Sequence, residues 1–190
     1  LTEANFTIPP NQKSLLKVGD RYTAGDLLKI MLISSSNEAA EALAGFYGRA
    51  NFVLDMNSQA RKWGMTQTYF NDPTGLSVSN QSTIRDIQKL VERIYENFPD
   101  IFSITRNRTL TVKELGSGIV RFASSTNNFS GRPDFLGGKT GYTDEANGNL
   151  VSLFSHANRP ILVVVLGSAD RFGDTEKLIN WFKNDFTPGK

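Results

Sequence analysis

A lysine and a hydroxyl lie side by side between glycines in residues 135–143, Phe-Leu-Gly-Gly-Lys-Thr-Gly-Tyr-Thr, shortly before the apolar run 150–154. This pattern predicts an edge strand with an open backbone. An extended ligand adds to such an edge by main-chain hydrogen bonds, and small residues let it approach closely. Lys139 would then offer a point charge and Thr140 a hydroxyl donor, a pair suited to a carboxylate. A second polar cluster, Ser34-Ser35-Ser36-Asn37, falls between the apolar run 27–33 and the small-residue run 38–47. Both runs read as buried helices, so the loop between them is held rigidly, a good setting for chemistry. Taken singly, each feature has an ordinary explanation. Ser36 or Asn37 can cap the helix that starts at Glu38, and Lys139 can be a solvated strand lysine.

The elements that must position these groups follow from patterning. Thr23 and Asp26 form a capping pair before residues 27–33, a helix apolar around its whole circumference and therefore expected inside the core. Residues 51–63 read as an amphipathic helix with Phe52, Met56, Ala60 and Trp63 on one side and Gly64 as its terminus. Residues 69–76, Tyr-Phe-Asn-Asp-Pro-Thr-Gly-Leu, read as a turn-rich surface crossing. Ser82 or Thr83 caps a helix whose Ile84, Ile87, Leu90, Val91, Ile94 and Tyr95 recur near a 3.6 period until Pro99, and these are expected in the core. Residues 108–112 and 119–123 alternate like strands joined through Gly116-Ser117-Gly118. Strands at 149–155 and 161–166 follow, and residues 172–182 close the chain as a helix with Phe172, Leu178, Ile179, Trp181 and Phe182 available to pack on the sheet. Helices, then strands, then a helix make an α+β layer protein.

The bulk composition narrows the function classes. A chain of 190 residues, 39% hydrophobic and 21% charged, suits one domain with one sizeable core. Its 21 basic and 19 acidic residues are closely mixed, with no basic run that would suggest nucleic acid or an anionic membrane. Cysteine is absent, which excludes disulfides, thiolate catalysis and cysteine-ligated metals and suits an exported bacterial protein. No apolar run approaches the roughly 20 residues of a membrane span. The single histidine, His156, has no carboxylate partner in the pattern and reads as structural or surface, so a Ser-His-Asp triad is not expected. The first residue is Leu rather than Met, which leads us to expect that a preceding segment has been removed.

Taken together, the polar clusters gain meaning from their order. Ser35-Ser36-Asn37 has the S-x-N form and stands about 100 residues before Lys139-Thr140-Gly141, a K-T-G motif. Around them run Gly19-Asp20-Arg21-Tyr22-Thr23, Asp26-Leu27-Leu28, Pro73-Thr74-Gly75-Leu76, Ser82-Thr83, Asp86, and Val164-Val165-Leu166-Gly167 before Arg171. In this order the chain resembles, almost end to end, the D-alanyl-D-alanine carboxypeptidase family of low-molecular-mass penicillin-binding proteins. The resemblance implies the serine β-lactamase-like α+β fold, an antiparallel sheet with helices packed on it. It implies removal of the terminal D-alanine from peptidoglycan stem peptides through an acyl-enzyme, with β-lactams as substrate mimics, an extracytoplasmic location and no cofactor or metal. It also implies residue roles. Ser35 relays a proton to the leaving amine, Asn37 bonds the substrate amide and helps hold a catalytic lysine, and Lys139 supplies positive potential. Thr140, Gly141 and Tyr142 bind the substrate, Thr140 by its hydroxyl and Tyr142 by a backbone N–H in the oxyanion hole.

One part of the family pattern is out of place. The nucleophile belongs to an S-x-x-K motif at the start of a long buried helix, the lysine one turn on. Ser14-Leu15-Leu16-Lys17 fits literally, but it is confined between Pro9-Pro10 and Gly19-Asp20 and lies too close to Ser35. We read it as a decoy. The expectation is then a chain that lacks nucleophile and base, along with the first strand and serine helix, and whose helix 27–33 and sheet leave apolar surface for another segment or chain to cover. A non-catalytic domain that binds D-alanyl-D-alanine ends is the alternative. A β-lactamase fits less well, because no convincing deacylating glutamate follows Ser35-Ser36-Asn37.

Overall fold

The computed structural model describes residues 1–5 and 15–186. Ser14 and the Pro9-Pro10 pair lie outside them. Lys17 of the S-x-x-K match is exposed, its N–H donating to Asp20 Oδ2 at 2.9 Å ahead of a turn rather than on a helix. After a 3-10 turn at Glu3–Asn5, the first long element is helix α1, Ala24–Ser34, and Thr23 caps it by accepting the Asp26 N–H at 3.0 Å. It ends because Ser35 turns left-handed, at φ 55°. Ser36 then caps helix α2, Asn37–Tyr47, accepting the Ala39 N–H at 3.1 Å and donating to Glu38 Oε2 at 2.7 Å. Helix α3, Arg49–Lys62, follows through Gly48, whose φ of 98° suits glycine.

Helix α4, Ile84–Asn97, is capped by Thr83. Pro99 ends it as expected but also opens a further short helix, α5, Pro99–Thr105, its fixed φ being suited to a first turn. The sequence pattern gives no separate signal for α5. Strands β1, Thr109–Lys113, and β2, Val120–Ser124, form a two-stranded antiparallel sheet. Strands β3, Phe135–Thr143, β4, Asn147–His156, and β5, Arg159–Ser168, form a second antiparallel sheet in that order, and helix α6, Arg171–Asp185, packs on it. The architecture is α+β, as the patterning predicts. Among the described residues, no helix is long and apolar enough to cross a membrane.

Burial is divided between two clusters rather than concentrated in a single core. One joins Phe129, Phe135, Leu150, Phe154, Val163, Val165 and Ile179 between the larger sheet and α6, its phenylalanine rings meeting edge-on. The other joins Leu16, Ile30, Ile33, Ala39, Val112 and Ala123 beneath α1 and the smaller sheet. Three burial expectations need correction. In α1 only Ile30 and Ile33 are buried, and the rest of its apolar circumference is partly covered. In α4 only Val91 is buried among the six apolar residues expected in the core; Ile84 is 57% and Tyr95 45% exposed. In α6, Ile179 is buried and Phe172 packs on the core, whereas Leu178 and Trp181 are exposed.

Leu32 of α1 and Ile87, Leu90 and Ile94 of α4 stay partly open for one shared reason, while Ile84 and Tyr95 line a separate groove with Leu153, Leu162 and Val164. The apolar sides of α1, α4 and α5 and one face of the larger sheet do not close on each other. They line a trough of about 690 Å³ walled by Leu32, Ile87, Leu90, Ile94, Phe102 and Val151, among others. This open apolar surface lies between the helices and the sheet.

Candidate active site

Strand β3 has an edge position in its sheet, yet its glycines do more than admit a ligand. A Cβ on Gly138 would lie 2.2 Å from the Val151 carbonyl oxygen of β4, and one on Gly137 2.7 Å from Thr105 Oγ1 of α5. The Gly138 N–H donates to that same Thr105 hydroxyl at 3.1 Å. One end of the edge is thus covered by α5. From Gly137 to Thr143 the pairing with β4 is regular, so backbone groups alternate in direction. The N–H groups of Thr140 and Tyr142 accordingly point the same way as that of Gly138, away from β4.

On this strand Lys139 reaches back to the loop between α1 and α2, its Nζ donating to Ser35 Oγ at 2.5 Å and to the Thr140 carbonyl oxygen at 3.0 Å. The two residues are 104 positions apart in sequence. No carboxylate pairs with this ammonium among the described residues. Burial, with the Arg171 guanidinium close by, lowers its pKa to about 8. Thr140 is buried, its hydroxyl 2.7 Å from that of Thr126, while Thr126 donates its N–H to Ile33 O at the end of α1. Asn37 stands at the first position of α2, and its side chain has no hydrogen-bond partner among the described residues. Tyr142 is exposed.

These groups line one cleft of about 530 Å³. Ser35, Asn37, Lys139, Thr140, Gly141 and Tyr142 all face it, and Pro73, Thr74, Gly75 and Leu76 form the opposite rim. Lys139, Thr140 and Gly141 also line the apolar trough, so the two spaces meet at β3. A carboxylate entering the cleft would find buried cationic charge and hydroxyl donors, and an extended chain could bond the outward backbone of β3.

A family model for peptidase S11, D-alanyl-D-alanine carboxypeptidase, matches residues 5–170. The chain belongs to this family. It is 31% identical over 175 residues to D-alanyl-D-alanine carboxypeptidase DacC of Escherichia coli, a match covering 87% of this chain and 42% of that protein. It is 32% identical over 177 residues to the D-alanyl-D-alanine endopeptidase of the same organism, covering 90% and 57% respectively. The chain therefore spans about half the length of the curated relatives it matches. Among solved structures, penicillin-binding protein D2 from Listeria monocytogenes in its cefotaxime-bound form aligns at a TM-score of 0.77. That match is 33% identical and covers 90% of this chain and 72% of that one.

Three further residues of this D-alanyl-D-alanine carboxypeptidase family chain shape the cleft. Arg171, at the start of α6, donates from Nη1 to Gly141 O at 2.8 Å and brings a second cation. In the sequence it stands only as a landmark after Val164-Val165-Leu166-Gly167. Thr126 carried no local signal at all. Asp72 is the third: it is 8% exposed and its carboxylate accepts from the Thr74 N–H and hydroxyl, the Gly75 and Ser77 N–H groups and the Asn80 amide, at 2.6–2.8 Å. Burial would raise its pKa, but these bonds outweigh burial and hold it at about 2. The Asp-Pro-Thr-Gly turn signal was visible; that its acid is the hub of the cleft rim was not.

Proposed function

We propose that this chain is a portion of a serine-type D-alanyl-D-alanine carboxypeptidase that acts on peptidoglycan stem peptides in an extracytoplasmic compartment. The observation that carries the reading is the contact between Ser35 and Lys139 across a cleft walled by an edge strand. In this reading the stem peptide lies along β3, which Gly141 leaves bare, and its terminal carboxylate meets Lys139, Thr140 and Arg171. The Tyr142 N–H supplies one half of the oxyanion hole and Asn37 bonds the substrate amide. A serine hydroxyl attacks the penultimate carbonyl, its proton passing to a neighbouring lysine. Ser35 then relays a proton to the departing D-alanine nitrogen, and water hydrolyses the acyl-enzyme. No cofactor enters these steps.

The attacking serine and its lysine base are assigned to an apolar helix with an S-x-x-K pattern occupying the trough. The trough supports this because it is apolar and opens at Lys139, where such a helix would deliver its serine. The Listeria relative is described with cefotaxime bound, which supports β-lactams as further ligands of the cleft. A second reading, recognition of D-alanyl-D-alanine ends without turnover, is favoured by one observation. Lys139, Thr140 and Arg171, the groups that would hold the terminal carboxylate, all line the cleft.

Release of D-alanine from an acyl-D-alanyl-D-alanine peptide tests the choice. It would be measured on the 190-residue chain and on the same chain extended by an S-x-x-K helix. Activity only in the extended form, lost on Lys139→Ala, is the expected result. Release by the shorter chain through Ser14 would overturn the decoy reading, and release by neither would leave recognition without turnover.

A further inference from the structure

We propose that Ser35 and Lys139 themselves form a serine–lysine dyad that accepts an acyl group from activated esters, a second acyl-transfer centre that needs no further helix. The inference does not rest on the carboxypeptidase reading. It begins from the hydrogen bond of 2.5 Å between Lys139 Nζ and Ser35 Oγ, with both residues open to the same cleft. A base within this distance of a hydroxyl is the geometric requirement for activating a serine nucleophile.

Three features of the surroundings add to it. Ser35 is a non-glycine residue held left-handed at φ 55°, in the joint between α1 and α2, a strained backbone that the two helices maintain. The eleven-residue helix α2 starts two residues on. Ser36 takes the Ala39 and Ala40 N–H groups through its hydroxyl and carbonyl, while those of Asn37 and Glu38 have no acceptor among the described residues. Positive potential and free donors therefore adjoin the serine where an oxyanion would develop. Finally, Lys139 has no carboxylate partner among the described residues, and burial together with Arg171 lowers its pKa to about 8. Roughly one lysine in ten is then neutral at pH 7 and able to act as base. Of the charged groups around the dyad, Arg171 of α6 acts on Lys139, and Glu38 of α2 accepts from the neighbouring Ser36 hydroxyl.

The chemistry balances within these groups. Ser35 Oγ forms a bond to the acyl carbon as its proton passes to neutral Lys139 Nζ, and the carbonyl pair moves onto oxygen. The intermediate collapses with loss of the ester C–O bond, and the departing alkoxide takes the proton from Lys139. Water, losing a proton to Lys139, hydrolyses the acyl-serine and restores the hydroxyl. Esters of small acids with an anionic group for Arg171 and Thr140 are the class that the cleft suits.

A serine-directed fluorophosphonate tests the dyad, because displacement of its fluoride by Ser35 Oγ leaves a stable mass tag. The 190-residue chain would be incubated with the probe, weighed intact and mapped by peptide. The expected result is one adduct on Ser35, forming at a rate that rises with pH through about 8 and then levels. Lys139→Met and Lys139→Arg should each slow it at least ten-fold. The arginine keeps the cation but cannot serve as base, so loss in both separates proton transfer from simple attraction. No adduct, an adduct on another serine, a rate indifferent to pH, or undiminished labelling of Lys139→Arg would each overturn the proposal. The wild-type map and pH profile decide the matter even if a variant fails to fold. An adduct on Ser14 would speak to the carboxypeptidase reading and against this one.

Discussion

The hydroxyls of Thr126 and Thr140 lie 2.7 Å apart, joining the segment after β2 to the edge strand β3. The Thr126 N–H also bonds Ile33 O, so one residue ties the end of α1 to both sheets close to the cleft. Replacing it by valine keeps the shape and removes the hydroxyl. Thr126→Val should cost about 1 kcal/mol in urea unfolding. It should also weaken binding of a carboxylate-ended peptide, because the Thr140 hydroxyl loses the partner that orients it. Unchanged stability and affinity would show that the pair does neither.

Gly138 and Gly75 separate two reasons for glycine. A Cβ at Gly138 would press on the Val151 carbonyl oxygen at 2.2 Å, so Gly138→Ala must push β3 from β4 and should cost about 1–3 kcal/mol. At Gly75, φ is +88° with nothing within 4 Å, so Gly75→Ala meets only backbone strain and should cost about 1–2 kcal/mol. Only the first should disturb the β3–β4 amide signals in an NMR spectrum.

Acid should unfold the protein through identifiable carboxylates. Asp134 is partly buried, which raises its pKa, but Arg132 and Lys183 outweigh that and bring it to about 2, as the rim bonds do for Asp72. Both fall from an ordinary value of 3.8, so the folded state binds their protons less tightly than the unfolded chain does. Their contribution is present in full above about pH 4 and is lost as pH falls through about 2. Thermal melts should therefore drop steeply over that window. Asp72→Asn, which leaves rim donors without an acceptor, should cost about 2 kcal/mol at pH 7 and flatten the acid profile.

The trough makes apolar residues of similar size unequal. Ile30 is fully buried, and Ile30→Ala should cost about 2–5 kcal/mol. Ile94 faces the open trough, and in the 190-residue chain Ile94→Ala should cost only about 1 kcal/mol. When an apolar helix occupies the trough, the Ile94 cost should rise toward that of Ile30. Equal costs in the two states would remove the trough as a docking site.

Local chemistry was the part of this fold most readable from sequence. Thr23 and Thr83 both cap the helices that follow them, Pro99 stops α4, and alternation around Gly116-Ser117-Gly118 produces the β1–β2 hairpin. These depend on a few neighbouring atoms. Burial was less readable, because a 3.6 period identifies which side of α4 is apolar but not whether anything covers it. The meeting of Ser35 and Lys139 was suggested by motif order, yet their direct contact needs the joint between α1 and α2 to aim at β3. Thr126, Asp72 and Arg171 were hidden for a related reason: each acts through a partner distant in sequence or through a convergence of turn donors that residue types do not encode.

The most direct measurement is a heteronuclear NMR titration of the 190-residue chain with an acyl-lysyl-D-alanyl-D-alanine peptide, beside its L-alanyl-L-alanine isomer. Recognition by the cleft is common to turnover and to binding alone, so this tests the central claim before any question of catalysis. The account predicts saturable shifts at Ser35, Asn37 and Lys139 through Tyr142 with the D-isomer, weak or absent with the L-isomer and reduced at least ten-fold in Lys139→Met. No saturable response, an equal response to both isomers, or shifts confined to the β1–β2 hairpin would contradict it.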